Sequence, residues 1–151
     1  MFTEKQYFYQ NKIVWILPIL FILILFTTGL NTGFKLVSLM PSLAFFILLI
    51  LLFFMHLETK IDEVGIHYKY LPFIYKQKTI QWTDIEQVSV IEYNPLRDFG
   101  GWGIRGWGKR RALNVYGNKG IQIIFKNGDL LLLGTNQMEE ASSIIAHFYM
   151  N

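Results

Sequence analysis

IVWILPILFILILFTTGL (13–30), NTGFK (31–35) and LVSLMPSLAFFILLILLFFMH (36–56) form the stretch whose reading decides the fold. Lys35, in the short connection, carries its only formal charge at neutral pH. As helices rising about 1.5 Å per residue, the two apolar runs reach roughly 27 and 31 Å, close to the ~30 Å hydrocarbon thickness of a bilayer. Apolar residues occupy the whole circumference, as they do in helices that are deeply buried or in lipid. The rest of a 151-residue chain is too small to wrap two such helices. The expectation is a transmembrane α-helical hairpin with spans at about 13–30 and 36–56.

Working outward, residues 1–12 (MFTEKQYFYQNK) place Thr3 three residues before Gln6, the spacing of a capping box. The reading is a helix that starts near Glu4 on the membrane surface and enters the first span. Thr27-Thr28-Gly29 offers no small-x-small cleavage pattern, so the first run is not read as a signal peptide. Lys5, Lys12, Lys60 and Lys69 flank the spans on one side against Lys35 at the tip, which places both termini in the cytoplasm of a multi-pass cell (inner or plasma) membrane protein. Domains follow as 1–56, an interfacial segment and the hairpin, and 57–151, a cytoplasmic domain.

From Leu57 onward the pattern changes to short strands and turns. Ile66, Tyr68 and Tyr70 alternate with His67 and Lys69, and Pro72 ends that strand. Lys76–Trp82, Gln87–Tyr93, Leu113–Tyr116, Ile121–Lys126 and Leu130–Leu133 read as further strands, and Asn127-Gly128 is the strongest hairpin signal in the chain. Asn136 and Glu139 read as an N-cap and its glutamate, and Met138, Ala141, Ile144, Ile145 and Phe148 form one apolar helical stripe.

The Trp82-Thr83-Asp84-Ile85 corner before a β-rich run, the Lys126-Asn127-Gly128-Asp129 hairpin and the final helix together resemble a pleckstrin-homology-like (PH-like) domain over roughly residues 57–150. The whole chain is similar to small bacterial proteins with two spans before such a domain. The resemblance implies an α+β fold, a small bent antiparallel β-barrel or sheet closed by the C-terminal helix. Relatives of that kind often bind phosphoinositides through an early loop. Here the early loop, 71–78, has only Lys76 and Lys78, and the basic cluster lies later.

That cluster is local. Arg97–Lys119 carries six basic residues and one acid, a net +5 in a chain of +3, so nothing in the overall charge points to nucleic acid. Within it, Arg97, Phe99, Trp102, Arg105, Trp107, Lys109, Arg110 and Arg111 mix large rings with cations on what reads as a Gly-rich loop from Leu96 to Arg111. Two readings stand side by side. In one the rings are barrel packing with solvated cations around them; in the other they form a lipid- or partner-binding surface, since tryptophan favours the headgroup layer and basic residues are drawn to anionic lipid. Gly101-Trp102-Gly103-Ile104-Arg105-Gly106 matches G-x-G-x-x-G literally, but it lacks the strand before and helix after that a dinucleotide site needs.

Catalytic signals are weak. The chain has no cysteine, which excludes disulfides and cysteine-based metal sites, and His56, His67 and His147 have no ligand spacing. Asp62-Glu63 and Asp84/Glu86 read as solvated caps in turns. No catalytic residue, cofactor or metal is assigned. The sequence therefore leads to a membrane-anchored, non-enzymatic scaffold or accessory subunit of a membrane complex, with an anionic lipid-headgroup sensor as the alternative and a membrane enzyme as the least favoured reading. Its expected partners are the lipid bilayer and a membrane protein or a second copy, with no nucleic acid.

Overall fold

The computed structural model describes residues 1–32 and 39–149. Among them are nine strands and four helices: β1 (Phe2–Tyr7), α1 (Ile16–Thr32), α2 (Leu39–Phe54), β2 (His56–Ile61), β3 (Gly65–Leu71), β4 (Ile74–Gln81), β5 (Ile85–Glu92), α3 (Pro95–Phe99), β6 (Gly103–Trp107), β7 (Arg110–Asn114), β8 (Lys119–Phe125), β9 (Leu130–Gly134) and α4 (Met138–Tyr149). The fold is α+β, with a four-stranded sheet ordered β1-β2-β3-β4 and a five-stranded sheet ordered β5-β8-β9-β7-β6. The chain divides into two compact units, Met1–Gln6 with His56–Asn151, and Tyr7–Met55.

The transmembrane hairpin is corrected. α1 has 17 residues and α2 has 16, and no helix among the described residues is long and apolar enough to cross a membrane. At about 1.5 Å per residue they reach roughly 26 and 24 Å. α1 begins three residues into the first apolar run, and α2 ends two residues before the close of the second. Lys12–Trp15 forms a 3-10 turn, fixed by the Asn11 side chain accepting from the Ile13 N–H (3.2 Å) and by Trp15 Nε1 donating to the Tyr9 carbonyl (2.9 Å). At the other end, Met55 leaves the helix and His56 starts β2. With the spans go the multi-pass cell-membrane localisation and the topology drawn from them. Much of the expected tip, including Lys35, lies outside the described residues. Within this unit Phe21 and Phe45 pack at 4.5 Å, Tyr9 stacks on Phe53 at 5.2 Å, and the groove between the helices, about 900 Å³, is lined by apolar residues such as Pro18, Ile24, Pro41 and Leu52. Ile16, Leu23, Phe26, Leu43, Phe46 and Phe54 are each more than half exposed.

The interfacial helix expected near Glu4 is also corrected, because residues 2–7 are a strand. Phe2, Glu4 and Gln6 are buried while Thr3 and Lys5 are exposed, the two-residue period of a sheet with one covered face. Two buried polar side chains on that covered face find partners far along the chain. Gln6 Nε2 donates to the Gly134 carbonyl (2.8 Å), and the Glu4 carboxylate accepts from the Thr135 hydroxyl (2.6 Å) and the Asn136 N–H (2.8 Å). Glu4→Gln keeps the shape but replaces one acceptor oxygen by a donor. It should cost about 1–3 kcal/mol, since a buried donor loses its partner. Thermal melting checks this, with the exposed Lys5→Gln expected to stay within about 0.5 kcal/mol of the parent.

The PH-like expectation of a wholly antiparallel bent sheet does not hold either. β7 and β9 run parallel, Arg110 opposite Leu130 through Leu113 opposite Leu133, while β5–β8, β8–β9 and β6–β7 are antiparallel. β8 and β9 are central strands, and Ile121, Ile123, Leu131, Leu132 and Leu133 are buried there. Leu57, Ile61, Ile66 and Tyr70 are the buried hydrophobic residues of β2 and β3. The Asn127-Gly128 turn forms between β8 and β9, with the Asn127 side chain accepting from the Asp129 N–H (2.9 Å).

α4 packs against β5, with β2 and β8 also in contact, and buries Ala141 and Ile145. It starts one residue later than an Asn136 cap requires, and the Thr135 hydroxyl accepts from the Gln137 N–H (3.2 Å). Its last turn meets the Trp82 corner. Phe148 and Tyr149 lie 6.5 and 5.9 Å from the Trp82 ring, whose Nε1 donates to the Asp62 carbonyl (3.0 Å), and the Tyr149 hydroxyl donates to the Glu86 carbonyl (2.7 Å).

Candidate functional site: the basic–aromatic hairpin

Residues 97–111 are an ordered helix and hairpin rather than a Gly-rich loop. Asn94 starts α3, its Oδ1 accepting from the Arg97 N–H (3.1 Å), with Pro95 in the first turn where its missing N–H costs nothing. Asp98 closes the turn by accepting from the Asn94 N–H (2.8 Å) and from Arg97 Nε (3.0 Å). Those two donors, the Asn94 amide first, hold the Asp98 carboxyl below its usual range. The chain then enters β6 under two clamps. Trp102 Nε1 donates to the Gly117 carbonyl (2.9 Å), and the Gly103 N–H donates to Asn114 Oδ1 (2.8 Å).

β6 and β7 pair from Gly103 opposite Asn114 to Trp107 opposite Arg110. Gly108 and Lys109 make the two-residue turn, Gly108 at φ +62° and Gly106 at φ +77°. Gly106 is required twice over. Its φ is left-handed, and a Cβ there would collide with the Arg110 carbonyl.

The eight residues singled out in the sequence fall into two groups. Arg105, Trp107, Lys109, Arg110 and Arg111 are exposed on the hairpin, and Trp107 is 96% exposed. Phe99 and Trp102 are half-buried beneath it, with Tyr93 edge-on to Phe99 at 5.9 Å and the Arg110 guanidinium 5.0 Å above the Phe99 ring. Arg105 Nε donates to the Trp102 carbonyl (2.9 Å). Arg97 is exposed on α3, beside Asp98. So one ring of the three is free of packing, and two serve as its base.

Sequence reasoning missed Asn114. It is fully buried, accepts from Gly103, and donates through Nδ2 to the Tyr93 hydroxyl (2.8 Å), while its carbonyl accepts from the Tyr70 hydroxyl (3.2 Å). It joins the hairpin root to both sheets. Burial pushes the Tyr68, Tyr70 and Tyr93 hydroxyls up in pKa, and the nearby Arg111 and Arg105 offset part of the rise at Tyr68 and Tyr70 respectively.

A second polar cluster was also missed. His67 sits opposite Thr79 across β3–β4, and its Nδ1 lies 2.9 Å from the Thr79 hydroxyl and 3.2 Å from Gln77 Nε2. Its Nε2 is 2.9 Å from Asp62, which also pairs with Lys60 at 2.9 Å. One tautomer satisfies all of this, with Nε2–H donating to Asp62 and Nδ1 accepting. Lys60 first, then His67, draws the Asp62 carboxyl well below the usual carboxylate range. The cluster borders a shallow cavity of about 280 Å³ on the polar face of the first sheet, where Lys5 and Lys69 pair with Glu58. Each cation there already has a carboxylate, so the face reads as a charge-laced, solvated surface. Among the described residues, no group of three or more His, Cys, Asp or Glu side chains is placed to hold a metal ion.

No family model, no curated protein and no solved structure matches the chain. The resemblance to two-span proteins with a PH-like domain is withdrawn on that finding, together with the parallel β7–β9 pair and the missing spans.

Proposed function

We propose that this chain is a non-enzymatic interaction module, a scaffold or accessory subunit that docks on a partner protein through the β6–β7 hairpin. One observation carries the reading: Trp107 stands 96% exposed at the end of β6, beside the turn, among Arg105, Lys109, Arg110 and Arg111. Tryptophan and arginine dominate binding energy at protein interfaces, where they bury large rings and make forked contacts to carboxylates. Folding alone gives no reason to hold a tryptophan in water on a clamped hairpin. The apolar surface left on α1 and α2 supports the same reading, since contiguous exposed apolar patches mark interaction sites.

The test places a photo-crosslinking amino acid at position 107 of the full chain in its own cells. One discrete protein adduct is expected, lost when Lys109, Arg110 and Arg111 are all changed to Ser. The same probe at the exposed Asn127 turn should give none. Random adducts, or the same adduct from both positions, would overturn the reading.

A second reading is favoured by the turn tip itself. Trp107 and Lys109 flank Gly108, an arrangement suited to the headgroup layer of an anionic bilayer touched from outside. Binding to phosphatidylglycerol vesicles but not to neutral ones, with no protein adduct, would select it.

A further inference from the structure

The order β5-β8-β9-β7-β6 leaves β6 at the edge of its sheet, with one side paired to β7 and Ile104–Trp107 exposed. We propose that this edge receives an extended acidic segment of the partner protein, which adds as a further strand beside β6. The inference rests on the scaffold reading above and names the chemistry and mode of its contact.

The pairing register sorts the side chains. Arg105 and Trp107 share one face of the ribbon, and the cross-strand partner of Trp107 is Arg110. Ile104 shares the other face with Gly106, whose partner is Arg111. An added strand therefore meets cation, indole and cation on one face and an apolar residue and a cation on the other. Acidic residues at alternate positions suit the first face, with room for an apolar residue beside Ile104 on the second. Strand addition takes its affinity from main-chain hydrogen bonds and its specificity from alternate side chains. Gly106 contributes by its bareness, since glycine within a strand marks a place where another backbone can come close.

Charges on an edge strand also serve to prevent edge-to-edge pairing. That role explains Arg105 and Lys109 but leaves Trp107 without a purpose. A cationic guard rejects basic strands and selects acidic ones, so both roles suit one edge. The edge of β5 is less open, because α4 lies along that strand and Tyr149 occupies the Glu86 carbonyl.

The experiment uses the full chain and four probes: an eight-residue peptide of alternating Glu and Val, its Lys/Val counterpart, a helical Ala/Glu peptide, and phosphatidylglycerol vesicles. Amide exchange over residues 103–107 is followed by mass spectrometry, together with Trp107 emission. The Glu/Val peptide should bind, shift the emission to the blue and slow exchange over β6 about tenfold, the factor that one net backbone hydrogen bond gives. Arg105→Glu with Arg110→Glu should abolish binding while circular dichroism shows the chain still folded. If the Glu/Val peptide and the helical peptide bind alike, or if binding leaves β6 exchange unchanged, strand addition is wrong and anionic docking survives. Response to vesicles alone overturns strand addition in favour of headgroup contact. A failed peptide with an intact Trp107 crosslink to a protein removes only this inference, whereas loss of both removes the scaffold reading as well.

Discussion

Ile145→Asp should unfold the unit that carries the two sheets, or lower its melting temperature by tens of degrees. Ile145 is 4% exposed on the face of α4 that lies against β5. Removing the isoleucine forfeits its burial and leaves space that neighbours fill only in part, a loss of about 2–5 kcal/mol for truncation of a buried aliphatic side chain. A carboxylate in the same place has no partner and adds several kcal/mol of desolvation, or must take up a proton. Total stabilities lie at about 5–15 kcal/mol, so the two terms together consume most or all of the margin. The loss would spread, because the end of α4 also packs on Trp82 through Phe148 and Tyr149. Circular dichroism and tryptophan emission against temperature check it. Ile145→Val should cost only about 1 kcal/mol, and Ser142→Asp, on the exposed side of the same helix, should leave melting unchanged. An Ile145→Asp chain that melts like the parent would remove α4 from the core.

Much of the sheet-bearing unit was legible because its signals are local. The period-two run Ile66–Tyr70, the Asn127-Gly128 turn and the apolar stripe ending at Phe148 each show within a few residues, and each appears in the structure as β3, the β8–β9 turn and α4. β1 was illegible for the opposite reason. Glu4 and Gln6 look like surface residues until Thr135, Asn136 and Gly134 supply partners about 130 positions away. Thr3 and Gln6 offered a local helical alternative that long-range pairing overrode. The parallel β7–β9 register is likewise a property of two segments together and of neither alone.

The apolar stretch misled in another way. Hydropathy measures the length of a run, while the length of a helix depends on where its ends are fixed. The start of α1 and the end of α2 are set by polar details, the Asn11 side chain, the Trp15 indole and the entry of His56 into β2, none of which alters the mean hydropathy. The candidate site was half legible. Its cations and rings stood out in the sequence, but glycine density suggested a loop where Gly106 and Gly108 in fact supply the left-handed positions of a hairpin. That one tryptophan would be free and another clamped depends on Gly117 and Asn114, which carry no signal of their own.

Asn114→Leu should loosen the whole hairpin while leaving every exposed residue of the site in place. The substitution is close in volume and adds no charge, so its effect is that of lost hydrogen bonds. Two groups lose partners: the Gly103 N–H, which donates to Oδ1, and the Tyr93 hydroxyl, which accepts from Nδ2. Each buried polar group left without a partner costs about 1–3 kcal/mol, so a loss near 3 kcal/mol is expected, enough to lower the melting midpoint by about ten degrees or more in a unit of this size. The bond from the Tyr70 hydroxyl to the Asn114 carbonyl uses backbone and persists, so the seam between the sheets should survive. The damage should concentrate at the start of β6, where amide exchange over residues 103–107 should quicken more than over β8 or β9. The docking proposed for Trp107 should weaken with it, because a frayed strand must be reordered before it can dock. Tyr93→Phe removes one of the two bonds and should cost less than half as much. Combined with Asn114→Leu it should add almost nothing, since the two changes delete the same interaction. Unchanged exchange at 103–107 in the Asn114→Leu chain would show that the hairpin is held by β7 alone and that Asn114 is a passive core residue.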